Sequence, residues 1–478
     1  MANQITFLNH SCVILITPNI KILCDPWFNG TAFGEGWSLL HDASHDINSI
    51  EFDYIWLSHE HPDHFSIPTL NQLNSSKTFL YQETKDKKIK LYLEKKGHKV
   101  IEIPNKKTFT LEDLELTLIT CDGYDSSLIA KFPNNKVVVN INDARVDLDD
   151  HLGKEIIPFL NDCEVELLMF QFGYANWAGN MGDVEIPIHQ QNLVDKKNDY
   201  IIDTISPNVI MPFASFVYFS HEENFYWNDT CWLNHIFSKY SNMDCNLMFP
   251  APNQTFNLGE FDQDNFCIKN KNAKIFWEEK IKNIKPKTIS RARTIKELNI
   301  KYDEFLNNLH KRNSIFKLID KKNNYCLTIK ITDLDKIISI GLVDNKFAID
   351  SQSENNISIE VSSEVLLFLL SQSFGRGTVT INSRINFNYD FAHNFFLFFF
   401  IFYANNLGIY FHELNRITKD KVQSISRTSV MESILLFNKN TSSNMSKDIE
   451  YFMSIFDTKE NLDSNFDIFN QEPPNSDM

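Results

Sequence analysis

No two of the eight cysteines in this 478-residue chain stand in Cys-x-x-Cys spacing; Cys12, Cys24, Cys121, Cys163, Cys231, Cys245, Cys267 and Cys326 are scattered. There is no dense disulfide framework, and reduced thiols in a cytoplasm are the simplest account. No apolar run approaches the roughly 20 residues that a membrane span needs. The longest aromatic run, Phe395-Phe396-Leu397-Phe398-Phe399-Phe400-Ile401-Phe402-Tyr403, reads as a buried helix or a pocket wall. The opening Met-Ala-Asn-Gln-Ile-Thr-Phe-Leu-Asn-His lacks a cationic segment followed by an apolar core, so no secretory signal is expected. Basic residues are in deficit: the formal charge is -16, which argues against a nucleic acid or an anionic membrane as general partner. No internal repeat is visible. With 43% hydrophobic and 23% charged residues the chain can bury cores, and its length suits two or three domains.

The N-terminal half alternates strand-like runs with turns and helical stretches, the runs lying at 12–16, 20–24, 54–57, 100–103, 116–119, 137–140, 167–170 and 209–211. Pro18-Asn19 predicts a tight hairpin between the first two. Strands interleaved with helices predict an α/β layered fold with its site along one edge of the sheets. Over 271–296 the residues Lys274, Lys280, Lys282, Lys285, Lys287, Arg291, Arg293 and Lys296 accumulate with few strand signals, which predicts a solvated helical linker. Beyond it, apolar residues at every second position (Tyr325/Leu327/Ile329/Ile331, Ile338/Ile340/Leu342, Ile357/Ile359/Val361, Val379/Ile381) predict strands. They bracket a helix over 363–370 and precede an aromatic helix over 391–411. The expected organisation is a catalytic domain over 1–260, a basic helical linker over 261–300, a smaller α+β domain over 301–440 and an acidic, loose tail over 441–478. The element order of the smaller domain faintly resembles a sterol-carrier-like domain.

Chemistry concentrates in Ser58-His59-Glu60-His61-Pro62-Asp63-His64, an H-x-H-x-D-H string directly after the apolar run 53–57. His59 and His61, two apart at a strand end, can project the same way and grip one ion. Asp63 and His64, beyond the turn at Pro62, can aim at a second. The bland alternative is a His-rich surface turn, since any short motif has false positives.

Such a string at a strand end is the central motif of the metallo-β-lactamase superfamily, which this chain resembles over about residues 1–260. The resemblance implies a four-layer αββα fold and a dinuclear metal site. Asp25, in Leu23-Cys24-Asp25-Pro26-Trp27, takes the place of the aspartate that braces the histidine loop by hydrogen bonding rather than as a ligand. Asp143, after the strand-like residues 137–142, takes the place of the carboxylate that bridges two ions roughly 3.5–4 Å apart. Either could instead be a plain turn residue. His221, after a strand and a small-residue turn, fits the last family histidine better than His189. The middle histidine is missing: His98 sits in a charged stretch, so a carboxylate, Asp125 or less favourably Asp122, must substitute. Two imidazoles with carboxylates form a harder site than three imidazoles, so the expected cofactors are two divalent metal ions, iron preferred, with zinc or manganese as alternatives.

A more specific resemblance rests on Asp25-Pro26-Trp27-Phe28 followed by Gly30-Thr31-Ala32-Phe33-Gly34-Glu35-Gly36-Trp37-Ser38-Leu39-Leu40, with Asn9-His10-Ser11-Cys12-Val13, Ile67-Pro68-Thr69-Leu70, Val139 to Asp143, and Pro212-Phe213-Ala214 leading to Ser220-His221. These look like the catalytic region of the CMP-N-acetylneuraminate hydroxylases. That implies an O2-dependent di-iron monooxygenase acting on a small molecule of the sugar-nucleotide type. The family's Rieske cysteine–histidine pairs do not precede the catalytic region here, so electrons are expected from a separate ferredoxin or Rieske-type protein. The alternative is a metal-dependent hydrolase of a phosphodiester, amide or lactone, with Asp63 as the catalytic group that handles the proton. A metal-free binding protein is the third class. Asn176 and Trp177, in a stretch rich in aromatics, amides and glycines, suit a substrate-binding wall, or a loop turned by its glycines for packing alone.

Overall fold

The computed structural model describes residues 3–41, 46–121, 125–161, 163–174, 176–230, 235, 239–240, 246–260, 263–286, 292–314, 326–343, 346–349, 356–406 and 410–411. Asp122 and the expected tail over 441–478 lie outside them. The chain forms two compact units: Met1–Tyr174, His189–Ser220 and Trp227–Pro286 in the first, Ala175–Ile188, His221–Tyr226 and Lys287–Met478 in the second.

The strands of the first unit are β1 (Gln4–Asn9), β2 (Cys12–Ile16), β3 (Lys21–Cys24), β4 (Trp37–Leu39), β5 (Tyr54–Trp56), β6 (Thr78–Gln82), β7 (Lys99–Ile103) and β8 (Thr108–Leu111). They continue with β9 (Leu114–Cys121), β10 (Asp125–Lys131), β11 (Val137–Asn142), β12 (Val165–Gln171), β13 (Val209–Phe213), β14 (Val217–Phe219), β15 (Asn246–Leu247) and β16 (Gln254–Asn257). One seven-stranded sheet runs β16-β1-β2-β3-β5-β6-β7 and the other β15-β13-β12-β11-β10-β9-β8. Each opens as an antiparallel meander and changes to parallel pairing, at β3/β5 in the first and at β11/β12 in the second. The sequence shows no repeat, yet the two sheets share this plan. Every residue of β11, β12 and β13 is buried, the pattern of strands covered on both faces, which a layered α/β arrangement requires.

Helices α1 (Ile67–Leu70), α2 (Lys88–Lys95), α3 (Glu185–Ile205) and α4 (Gln263–Lys282) follow in chain order. The first is started by Ser66, whose hydroxyl accepts from the Thr69 N–H, with Pro68 in the first turn. Helix α4 begins the segment expected to be a solvated linker, but it packs on the first unit. Its Ala273 and Trp277 are buried; Trp277 stacks on Phe216 at 4.3 Å and donates its indole N–H to the Pro250 carbonyl at 2.8 Å. Lysines at the intervening positions hid that apolar stripe, and the first unit extends to Pro286.

The second unit holds β17 (Cys326–Ile331), β18 (Lys336–Gly341), β19 (Phe347–Ile349), β20 (Ile359–Val361) and β21 (Asn386–Phe387), in the order β19-β18-β17-β20-β21. Its helices are α5 (Ile295–Arg312), α6 (Ser363–Ser371), α7 (Gly375–Asn382), α8 (His393–Phe398) and α9 (Phe400–Asn406). Thr294 and Glu297 close a capping box on α5. The Val379/Ile381 alternation, read above as a strand, lies in α7, where Gly375/Val379 and Arg376/Thr380 are buried at helical spacing. Two alternating residues are too few to tell period 2 from period 3.6. The aromatic run forms α8 and α9, and Phe395, Phe396, Phe398, Phe399 and Phe400 are core residues. No helix among the described residues is long and apolar enough to cross a membrane.

Cys12 and Cys24 lie buried on β2 and β3, and burial pushes both thiols well above their ordinary range, with Asp25 adding to the effect. Cys267 and Cys326 are exposed. Only the thiolate is a nucleophile. Iodoacetamide at pH 8 should therefore modify Cys267 and Cys326 in the native protein and spare Cys12 and Cys24 until denaturant is added, as read by peptide mass spectrometry.

Candidate metal centre

The loops that carry the motif residues leave the sheets where antiparallel pairing gives way to parallel. Asp25 follows β3, residues 57–64 follow β5, Asn142 ends β11 and Asp143 follows it. Loops at such a switch diverge and leave a crevice beyond the strand ends. Asp25 (φ 41°) and Asn142 (φ 55°) both adopt the left-handed conformation, which turns each chain sharply at its strand end.

Asp25 is buried and ties these loops together. Its Oδ1 accepts the Ser58 N–H at 2.8 Å; its Oδ2 accepts the Ser58 hydroxyl at 2.7 Å, the Asn142 amide at 2.9 Å and the His64 Nδ1–H at 3.0 Å. The single Ser58 hydroxyl proton thus goes to Asp25. The Ser58 oxygen is left to accept from His59 Nδ1 at 2.8 Å. With a proton on Nδ1, His59 turns an Nε2 lone pair inward, and His64 does the same once an incoming ion displaces the proton from its Nε2. From the second sheet, Ser126 on β10 donates to the Ser58 carbonyl at 2.7 Å.

The inward atoms form linked donor groups, all within the first unit. His59 Nε2 lies 2.9 Å from His61 Nδ1 and 3.8 Å from Asp125 Oδ1. His64 Nε2 lies 3.4 Å from both Asp63 Oδ2 and Asp143 Oδ2. Asp143 Oδ2 is also 3.9 Å from His59 Nε2, so this one carboxylate faces both groups. The structure therefore brings together His59, His61, Asp63, His64, Asp125 and Asp143, with Asp25 bracing them. The donor set fits metal ions by a direct test. Among the described residues Asp63 Oδ1 and Asp143 Oδ1 are buried without a hydrogen-bond partner, a costly arrangement for carboxylate oxygens unless a cation faces them.

Burial, assisted by the charge of His64, lowers His59 to about 4, and burial followed by His59 lowers His61. Burial opposes charge on His64 as well, but Asp63 and Asp143 outweigh it and hold that imidazole well above its usual range. Burial would raise Asp63 and Asp143, and His64 chiefly keeps both below the ordinary carboxylate range.

His221 belongs to the second unit, where it is buried, its Nδ1 3.3 Å from Glu223 and its N–H on Asn224 Oδ1 at 2.9 Å. His98 is half-buried and accepts the Lys77 N–H through Nδ1, and His189 is half-buried on α3. Trp177 is fully enclosed in the core of the second unit, edge-on to Phe387 at 5.1 Å, and its backbone N–H donates to the Thr380 carbonyl. Asn176 beside it is half-buried. The residue missed from sequence is His10, whose Nε2 lies 3.2 Å from Asp63 Oδ2. Only its place just after a short apolar run hinted at it.

Residues 4–145 match the family described as Beta-lactamase superfamily domain. Cytidine monophosphate-N-acetylneuraminic acid hydroxylase from Cricetulus griseus is 26% identical over 283 residues, 55% of this chain and 49% of its own length. The Xenopus laevis enzyme of the same name is 27% identical over 245 residues, 48% and 40%. The chain thus spans about half the length, or less, of the curated relatives it matches. Among solved structures, CmlA, a diiron beta-hydroxylase from Streptomyces venezuelae, superposes with a TM-score of 0.37 at 12% identity over 54% of each chain. The metallo-β-lactamase resemblance read from the motif stands, and these curated relatives are named as hydroxylases.

Two outcomes follow. Asp25→Ala leaves four donors without their acceptor; it should destabilise the protein by about 3 kcal/mol in urea unfolding and weaken metal binding roughly 10- to 100-fold. His64 gains its proton in the metal-free fold, and an incoming ion must displace it, so metal affinity should rise with pH until His64 is deprotonated without metal. Calorimetric titration of the chelated protein at pH 7, in buffers of different ionisation enthalpy, should show proton release on binding; an affinity independent of pH would contradict this.

Proposed function

We propose that this chain is a dinuclear-metal hydroxylase that uses dioxygen, acts on a small molecule of the sugar-nucleotide type, and takes its electrons from a separate ferredoxin or Rieske-type protein. The observation that carries the proposal is Asp125 beside His59 and His61: a carboxylate completes this donor group, and the whole centre is rich in hard oxygen donors suited to iron. The hydroxylase relatives support the same reading and suggest a cytidine monophosphate-linked N-acetylated sugar acid as the first substrate to try.

His59, His61 and Asp125 would hold one ion, Asp63 and His64 the other, and Asp143 would reach both. Iron bound there supplies the oxidation, and the residues supply orientation and exclusion of water. Exposure fixes the open side. The side chains of His59, Asp63 and His64 are at most 3% exposed, whereas Asp125 and Asp143 retain 22% and 14%. Substrate therefore approaches over Asp125 and Asp143, and the ring of His64 closes the far end. The same donors could serve a hydrolase in which Asp63 moves a proton. Against that role, Asp63 is enclosed and its Oδ2 is flanked by His10 and His64, a setting for a ligand rather than a proton carrier.

Elemental analysis of protein purified without added metal should give near two irons per chain, and reduced protein given dioxygen and the sugar nucleotide should yield a product heavier by one oxygen atom. Bound zinc with turnover of a generic phosphodiester would instead establish the hydrolase. Asp125→Ala should lose one ion and retain the other, while Asp122→Ala keeps both; the reverse would show that Asp122 is the substituting carboxylate.

A further inference from the structure

His10 occupies the two-residue turn between β1 and β2, where Asn9 pairs with Cys12. It adopts φ 43°, a conformation that glycine or asparagine would take at lower cost. A strained residue that the surroundings over-determine is a reason to look for what its side chain does. The turn is pinned from three directions. Asn9 donates to the His41 carbonyl at 2.8 Å, Ala214 donates to the His10 carbonyl at 3.0 Å, and the Ser11 hydroxyl donates to the Asp63 carbonyl at 3.4 Å. The imidazole is fully buried, edge-on to Trp27 at 5.4 Å.

Resting on the dinuclear reading above, we propose that His10 is the positioning residue for Asp63: its Nε2–H holds Asp63 Oδ2, so that Asp63 offers only Oδ1 to the second ion. Two observations assign the direction of that bond. His10 Nδ1 is buried with no hydrogen-bond partner, so a proton there would be an orphaned donor; the ring proton belongs on Nε2, facing a carboxylate that can only accept. Asp63 Oδ1, the other oxygen, is buried and has no hydrogen-bond partner among the described residues, which leaves it for a cation. His10 Nε2, Asp63 and His64 are also close enough to be three ligands of one ion, but a nitrogen that carries the proton has no lone pair to give.

The test compares wild-type, His10→Phe and His10→Gln proteins, each chelated and then titrated with cobalt(II), with binding followed by absorption and by competition with a chromophoric chelator. Phenylalanine keeps the shape and removes the donor; glutamine restores an N–H near the Nε2 position. His10→Phe should bind the first ion as wild type does and the second roughly 10- to 100-fold more weakly. His10→Gln should recover most of that loss. The number of imidazole nitrogens on cobalt, counted by pulsed electron paramagnetic resonance, should be the same in all three. Wild-type affinity for both ions in His10→Phe, a His10→Gln protein as weak as His10→Phe, or one fewer imidazole nitrogen in the variants would each overturn the proposal. A wild-type protein that takes up fewer than two ions would instead overturn the dinuclear reading itself.

Discussion

The carboxylate of Asp25 is the constraint on which the centre depends. Neither of its oxygens faces inward as a ligand; together they accept from Ser58 and His64, in the loop after β5, and from Asn142 at the end of β11, so they tie both sheets. Without it, Ser58 would have no fixed acceptor, His59 could choose either tautomer, and His64 could rotate. One buried, fully satisfied anion sets the orientation of two imidazoles and the approach of the β11 loop. A network centred on one shared acceptor fails as a unit when that acceptor is lost.

From that anchor the donor atoms fall into order. The change from antiparallel to parallel pairing recurs in both sheets, and loops leaving it supply the histidine string from one sheet and Asp143 from the other, while Asp125 stands at the start of β10 in the antiparallel part of the second sheet. Asp143 stands between the two groups, 3.4 Å from His64 and 3.9 Å from His59. His59, Asp63 and His64 are buried, whereas His61, Asp125 and Asp143 are half-buried, so the donors grade from enclosed to partly exposed across the centre.

Much of this was legible in the residues. The H-x-H-x-D-H string and the runs before it placed β3, β5, β11, β12 and β13, because strands buried on both faces read as continuous apolar runs. Asp25 and Asp143 could be placed by their position after such runs, and Asp125 because the one histidine between 64 and 143, His98, sits in a charged stretch unlike the family's middle histidine. Other features were not legible for physical reasons. His10 acts through a contact 53 positions away along the chain, and although Asn9 to Val13 is part of the resemblance, nothing local marks His10 as a site residue. Trp177 had the composition of a pocket wall, but an aromatic among glycines is equally a core residue, and only burial separates the two. The stripe of α4 was masked by lysines whose aliphatic stems can line an apolar face, and α7 was too short for its period to show.

The central claim is that two metal ions sit side by side with Asp143 between them. It is tested most directly by anomalous diffraction from metal-loaded crystals at the absorption edge of the bound metal. Two peaks roughly 3.5–4 Å apart are expected, one against His59, His61 and Asp125, the other against Asp63 and His64, with the Asp143 carboxylate reaching both. A single peak, or two peaks that Asp143 does not join, would contradict the account.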